Sequence, residues 1–123
     1  MRKKAFGNAG EDEAVRFLEK KGYRVIERNF SCRYGEIDII ARDGGAMVFV
    51  EVKTRSGDAF GPAAASVDER KQRKMTIAAQ FYLEKAGASD SEVRFDVVSI
   101  EKREGRFEIE LIRDAFEAAE IGW

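Results

Sequence analysis

The sequence predicts a mixed α/β fold, an α+β mixed sheet in the order α-β-β-β-α-β-β, and three observations carry that expectation. Two segments, residues 8 to about 21 and 66 to about 85, repeat apolar side chains at three- and four-residue spacing between a capping residue and a glycine, the pattern of an amphipathic helix. Five shorter runs are rich in Val, Ile and Phe, and the clearest alternates apolar with polar, as half-buried strands do. Glycine turns separate these runs. Strands interleaved with helices in this order imply one mixed sheet flanked by helices.

Taken in order, Asn8 is placed to cap the first helix, Glu11 stands in capping-box position, and Gly22 supplies the stop. Residues 23–29 form the first strand, with Tyr23, Val25 and Ile26 facing inward. Residues 35–42 form the second, Asp43-Gly44-Gly45 a turn, and residues 46–55 the third. A loop at 57–62 holds Gly57, Phe60, Gly61 and the single proline, Pro62. The second helix starts at Ser66, where Ser66-Val67-Asp68-Glu69 reads as a capping box, and Gly87 ends it. Residues 94–100 and 106–112 are strands about a Glu104-Gly105 turn. The last strand sets Phe107, Ile109 and Leu111 against Glu108 and Glu110, so one of its faces meets water. The tail from Asp114 to Trp123 is expected to form a short helix.

At 123 residues the chain is expected to be a single domain, residues 1–123, with a core that needs no staples. The lone cysteine, Cys32, cannot close an intramolecular disulfide. No apolar run approaches the roughly 20 residues of a membrane span, and the basic start, Arg2-Lys3-Lys4, lacks a signal-peptide core. A cytoplasmic protein with no membrane partner is the expectation. The absence of histidine removes histidine general bases, Ser-His-Asp triads and His/Cys zinc sites. Any metal would be held by oxygen, which favours magnesium or manganese. A net charge of −1 and a pI of 5.7 argue mildly against nucleic-acid binding. Distribution matters more, and Arg70, Lys71, Arg73 and Lys74 form a basic block while the acids concentrate from Glu101 to Glu120.

The informative chemistry lies in two strands. Glu51 and Lys53 are two apart in Val48-Phe49-Val50-Glu51-Val52-Lys53, so they share a face, with Val48, Val50 and Val52 on the opposite, buried one. Glu36 and Asp38 share a face of the second strand, with Ile37, Ile39 and Ala41 on the other. A hairpin between the strands brings Asp38 close to Glu51. Carboxylates hold a hard divalent cation, and a lysine steadies an attacking water or a phosphate charge. Two helical residues add to this: Glu11 on the core-facing stripe with Ala14, Val15 and Leu18, and Lys71 on the stripe with Val67, Met75, Ala78 and Tyr82. Two like charges about 4 Å apart repel by roughly 4 kcal/mol at an effective dielectric of ~20. Clustered carboxylates therefore call for a cation or a raised pKa.

Each residue has an ordinary alternative. Glu11 completes a capping box, Lys71 snorkels to water, Glu36 flanks the Gly35 turn, and Glu51 with Lys53 is an exposed pair worth no more than ~1 kcal/mol. Arg94 and Asp96 read as a same-face ion pair, Phe60 as a turn anchor and Cys32 as inert. The alternatives need several unrelated reasons for charges at core-facing positions, whereas one cation site needs a single reason.

Asp38 followed by Glu51-Val52-Lys53 resembles the PD-(D/E)xK nuclease superfamily. Gly10-Glu11, Gly35-Glu36-Ile37-Asp38, Phe49-Val50-Glu51-Val52-Lys53, Phe60-Gly61 and Arg94-Phe95-Asp96 narrow the resemblance to the YraN-type family of small bacterial proteins, related in fold to Holliday-junction resolvases. It covers residues 8 to 100. It implies a restriction-endonuclease-like core and a Mg2+ (or Mn2+) site held by Asp38, Glu51 and Glu11, with Lys53 as the catalytic lysine. Lys71, Arg70 and Arg55 would be the substrate contacts. Ile37 stands where the superfamily has its naming proline.

The resulting expectation is a divalent-metal-dependent endonuclease that hydrolyses DNA in preference to RNA, extending to branched DNA, with a homodimer as the natural state for symmetric cutting. Two alternatives differ in class: a nucleic-acid-binding or adaptor module with the nuclease fold and little activity, and a protein-interaction domain using the acidic C-terminal region.

Overall fold

The computed structural model describes residues 9–56 and 67–120. The expected caps Asn8 and Ser66, the basic residues Arg2 to Lys4, the loop with Gly57, Phe60, Gly61 and Pro62, and Trp123 lie outside the described residues. The elements run α1 (Ala9–Lys20), β1 (Arg24–Cys32), β2 (Gly35–Asp43), β3 (Ala46–Ser56), α2 (Glu69–Lys85), β4 (Glu92–Arg103) and β5 (Arg106–Phe116). The order is the expected one. β1 to β5 form one sheet in sequence order. All neighbours pair antiparallel except β3 and β4, which are parallel and joined through α2.

Both helix ends follow from glycine. Gly22, at φ 97°, lets the Tyr23 amide donate back to the Leu18 carbonyl at 3.0 Å and its own amide to Glu19. Gly87, at φ 68°, repeats the arrangement with Ala88 donating to Leu83 at 2.8 Å. These are the paired reverse bonds of a glycine-terminated helix. At the start of α2 the cap is Asp68, whose carboxylate accepts from the Lys71 amide at 2.9 Å. The helix therefore begins two residues later than the expected Ser66 box would start it, because an ionised carboxylate is a strong acceptor at the positive end of the helix dipole.

The helices lie on opposite faces of the sheet. α1 contributes Ala14 and Leu18 to a core with Ile39, Val48, Val50, Val98 and Ile100. α2 contributes Met75, Ala78, Tyr82 and Leu83 to a second core with Ile37, Ile40, Phe49, Phe95 and Val97. β3 is thus buried on both faces, as the central strand of a covered sheet must be. The result is the α+β arrangement of a restriction-endonuclease-like core.

Three expectations need correction. Ile26 points outward, 39% exposed, because the β1–β2 register shifts between Val25 and Glu27 and a bulge turns the extra residue away from the core. Ile37 does not share a face with Ile39 and Ala41: it joins the α2-side core and they join the α1-side core. Strict alternation slips at Asp38, opposite which Asn29 of β1 adopts a left-handed φ of 58°. Nor does a helix begin at Asp114. β5 continues to Phe116, whose ring stacks on Phe95 at 4.9 Å, and residues 117–120 have no regular structure. Pairing onto β4 and the buried ring contact outweigh the local helix propensity of the tail.

Candidate active site

The slip at Asp38 makes the site. The β2–β3 ladder ends at the pair Ile39–Val50, so beyond it the Val52 amide has no backbone partner on β2. The carboxylate of Asp38 takes that place, accepting from Val52 N at 2.8 Å. Its charge reaches Glu51, which stands on the α2 side of β3 at 4% exposure. Burial pushes the Glu51 carboxyl above the usual carboxylate range, and the nearby Asp38 charge pushes it further; Lys71 and Lys53 oppose both.

Two ammonium groups answer the Glu51 charge. Lys71 Nζ lies 2.9 Å and Lys53 Nζ 3.6 Å from Glu51 Oε2. Lys53 comes from the same strand face, two residues on. Lys71 comes from the first turns of α2, whose Val67–Met75–Ala78–Tyr82 stripe is buried on the sheet. Burial alone would lower the Lys71 pKa, but the hydrogen bond to Glu51 and the charges of Glu51, Asp38 and Glu36 outweigh it and raise it. Glu36, Asp38, Glu51, Lys53 and Lys71 therefore form one electrostatic cluster where β2 and β3 part beneath the start of α2.

Glu11 is placed elsewhere. It is buried, as its stripe predicted, but its Oε1 accepts from Arg28 Nη2 at 3.0 Å, Arg28 Nε at 3.2 Å and Asn29 Nδ2 at 3.2 Å. The need for a counter-charge is met by Arg28. Among the described residues no group of three or more His, Cys, Asp or Glu side chains is arranged to hold a metal. Asp38 and Glu51 are the pair that could hold a hard divalent cation: both offer oxygen donors, and the two charges act on each other across the parted strands.

The remaining sequence candidates scatter. Arg70 is exposed at the start of α2. Arg55 lines a hollow of about 240 Å³ whose other walls are Ser99, Glu101, Glu108, Ile109 and Glu110. Asp96 belongs to a buried knot on the face of the sheet opposite Glu51, where Arg94 Nε donates to Asp96 Oδ1 at 3.0 Å and Tyr23 OH to Asp96 Oδ2 at 2.6 Å. The expected same-face pair of Arg94 and Asp96 is present.

Sequence reasoning missed Arg28 and Asn29, the partners of Glu11. No local pattern marks them, since they meet α1 only through the fold. A signal was present at two glycines, each next to an acid. A Cβ on Gly10 would lie 2.6 Å from Thr54 Oγ1, and one on Gly35 would lie 3.3 Å from Lys74 Cβ. Both are positions of close approach: Gly10 brings α1, which carries Glu11, against β3, and Gly35 brings β2, which carries Glu36, against α2.

The chain matches the model of the uncharacterised protein family UPF0102 over residues 10–100. It is 51% identical over 117 residues to a UPF0102 protein of Geotalea uraniireducens, covering 94% of this chain and 92% of that one. To a UPF0102 protein of Geobacter metallireducens it is 47% identical over 119 residues, covering 97% and 98%. One from Syntrophus aciditrophicus is 46% identical over 113 residues, covering 92% and 89%. Matches of this extent, over the strands and helices that build the site, show that the chain belongs to the UPF0102, or YraN-type, family.

Proposed function

We propose that the protein is a divalent-metal-dependent endonuclease that hydrolyses nucleic-acid phosphodiesters, with DNA as its substrate. One observation carries the reading: Asp38 and Glu51 interact across the parted β2–β3 strands while Lys53 and Lys71 approach Glu51 at 3.6 and 2.9 Å. Asp38 and Glu51 would hold Mg2+ or Mn2+, and the cation would supply Lewis-acid polarisation of the scissile phosphate. Lys53, partly open to solvent, would face the charge that develops on the phosphate in the transition state. Lys71 would exchange Glu51 for a phosphate oxygen, so substrate and cation enter together. Arg70, exposed at the start of α2, would extend the basic contacts along the substrate. The resemblance to Holliday-junction resolvases extends the proposal to branched DNA and a homodimer, and the same reading places the protein in the cytoplasm. Among the described residues no helix is long and apolar enough to cross a membrane.

The test is incubation with labelled linear, flap and four-way-junction DNA in manganese, beside Asp38→Asn and Lys53→Ala. Cleavage by the wild type, its loss in EDTA and a fall of about 10²–10³-fold in Lys53→Ala are expected. Cleavage that survives both EDTA and Lys53→Ala overturns the mechanism.

A second reading, a nucleic-acid-binding module with little activity, draws on the pairing of Glu11 with Arg28, which leaves Asp38 and Glu51 as the two expected metal ligands at the cluster. DNA binding by both wild type and Asp38→Asn, with cleavage by neither, favours it.

A further inference from the structure

Further along α2 from the cluster, two large rings meet on the surface. Tyr34, at the tip of the β1–β2 hairpin, and Phe81, on α2, have ring centroids 5.6 Å apart at 40°. Each remains more than two-fifths exposed, at 42% and 44%. Exposed apolar residues scattered singly need no explanation. A pair of touching rings does, more so when the Arg33 guanidinium lies 5.6 Å from the Tyr34 centroid.

The surroundings are basic. Gly35, beside Tyr34, packs against the Lys74 backbone, and Lys74 closes the run Arg70, Lys71, Arg73, Lys74 on α2. Lys71, which holds Glu51, precedes Phe81 by ten residues of the same helix, about 15 Å at the helical rise. Exposed rings flanked by guanidinium and ammonium groups are what an unpaired base and its phosphates require: any base offers a π-face, and the cations follow the backbone. A duplex keeps its bases stacked and offers no free face to such a platform.

We propose that Tyr34 and Phe81 form a stacking platform for an unpaired nucleobase, with Arg33 and Lys74 as phosphate contacts, so that the protein binds single-stranded nucleic acid further along α2 from the Asp38–Glu51 cluster. The inference rests on the nucleic-acid reading above and narrows its substrate to one with an unpaired stretch.

The experiment is fluorescence anisotropy in EDTA, with labelled oligo(dT) and a blunt duplex of equal length as probes. A companion oligonucleotide carries 2-aminopurine, whose emission is quenched on stacking. Tyr34→Ala and Phe81→Ala should each weaken oligo(dT) binding by about tenfold, abolish the quenching and leave duplex binding and the melting temperature unchanged. Tyr34→Phe should bind as wild type, and Tyr34→Leu, which keeps apolar bulk without a π-face, should behave as Tyr34→Ala. Arg33→Ala should lower the slope of log affinity against log salt by about one.

The proposal is overturned if the wild type does not bind oligo(dT), if Tyr34→Ala binds it unchanged, or if oligo(dT) and duplex lose affinity equally. Unchanged binding alongside capture of a protein by the Tyr34–Phe81 face would reassign the surface to a protein partner. Because binding is read without metal, the two readings fail separately. Manganese-dependent cleavage of blunt duplex without oligo(dT) binding sinks the platform alone, and Tyr34-dependent binding without cleavage sinks the nuclease alone.

Discussion

Asp96 and Glu51 stand on opposite faces of neighbouring parallel strands, 0% and 4% exposed, and their surroundings differ in kind. Asp96 receives hydrogens from Arg94 Nε and Nη2, each at 3.0 Å, from Tyr23 OH at 2.6 Å and from the Asp114 amide at 2.9 Å. Arg94 also reaches Asp43 at 2.8 Å. These donors have fixed directions and come from β4, β5 and the start of β1, so the knot ties both ends of the sheet order. Glu51 is answered by two long lysine side chains that reach solvent, and Asp38 adds a second negative charge. A carboxylate that holds the fold is given rigid donors. Glu51 is given ammonium groups on long flexible stems instead, which act as point charges without a fixed direction.

Three measurements break or sharpen this contrast. The largest effect is expected from Asp96→Asn, which removes the fully buried charge that Arg94, Tyr23 and the Asp114 amide all bond. Loss of one member of a buried pair costs about 3–5 kcal/mol, which for a chain of this size lowers the melting temperature by about 10 °C or more. Thermal unfolding followed by circular dichroism checks it. A variant that melts with the wild type would show that the Asp96 knot does not hold the sheet.

Next is Tyr23→Phe. Burial and the hydrogen bond to Asp96 push the Tyr23 hydroxyl from 10.0 up to about 12. A raised folded value means that the neutral phenol stabilises the fold fully below pH 10 and loses that contribution as pH rises through 12. Urea unfolding should show the wild-type stability relative to Tyr23→Phe falling by about 2 kcal/mol between pH 10 and pH 12. A constant difference across that range would contradict the assignment.

The smallest effect belongs to Glu51→Gln. The raised Glu51 value means that the folded protein holds this proton more tightly than the unfolded chain does, so wild-type stability falls as pH rises from 4.5 through the raised value. Removing the charge should raise the melting temperature at pH 7 by a few degrees, about 1 kcal/mol, and flatten that stretch of the pH profile. Manganese should then stabilise the wild type and not the variant. A lower melting temperature for Glu51→Gln would show that the lysines overcompensate the charge.

How much of the site was legible follows from the range of the interactions involved. Glu51 and Lys53 share a face because strand alternation is local, and Lys71 was legible as a core-facing lysine because its helical stripe is local as well. Its meeting with Glu51 comes from the packing of α2 on the sheet. Arg94 and Asp96 are legible from strand alternation too. Asp38 was legible as a residue beside Glu51 but not as the acceptor for Val52, because that role arises only where the β2–β3 ladder ends. Glu11 was legible as a buried acid that needs a cation. Whether the cation is a metal or Arg28 depends on which β1 side chain passes beneath α1.

The sequence by itself determined the element order, the two glycine helix stops, the strand faces of β3 and the segregation of charge into a basic helix start and an acidic C-terminal stretch. Each is set by spacing and backbone conformation within a few residues. Only the tertiary structure decided the slip at Asp38, the pairing of Glu11, the continuation of β5 through Asp114 and the meeting of Tyr34 with Phe81. Those depend on contacts between residues far apart in the chain, where ladder ends, bulges and ring packing override local preference.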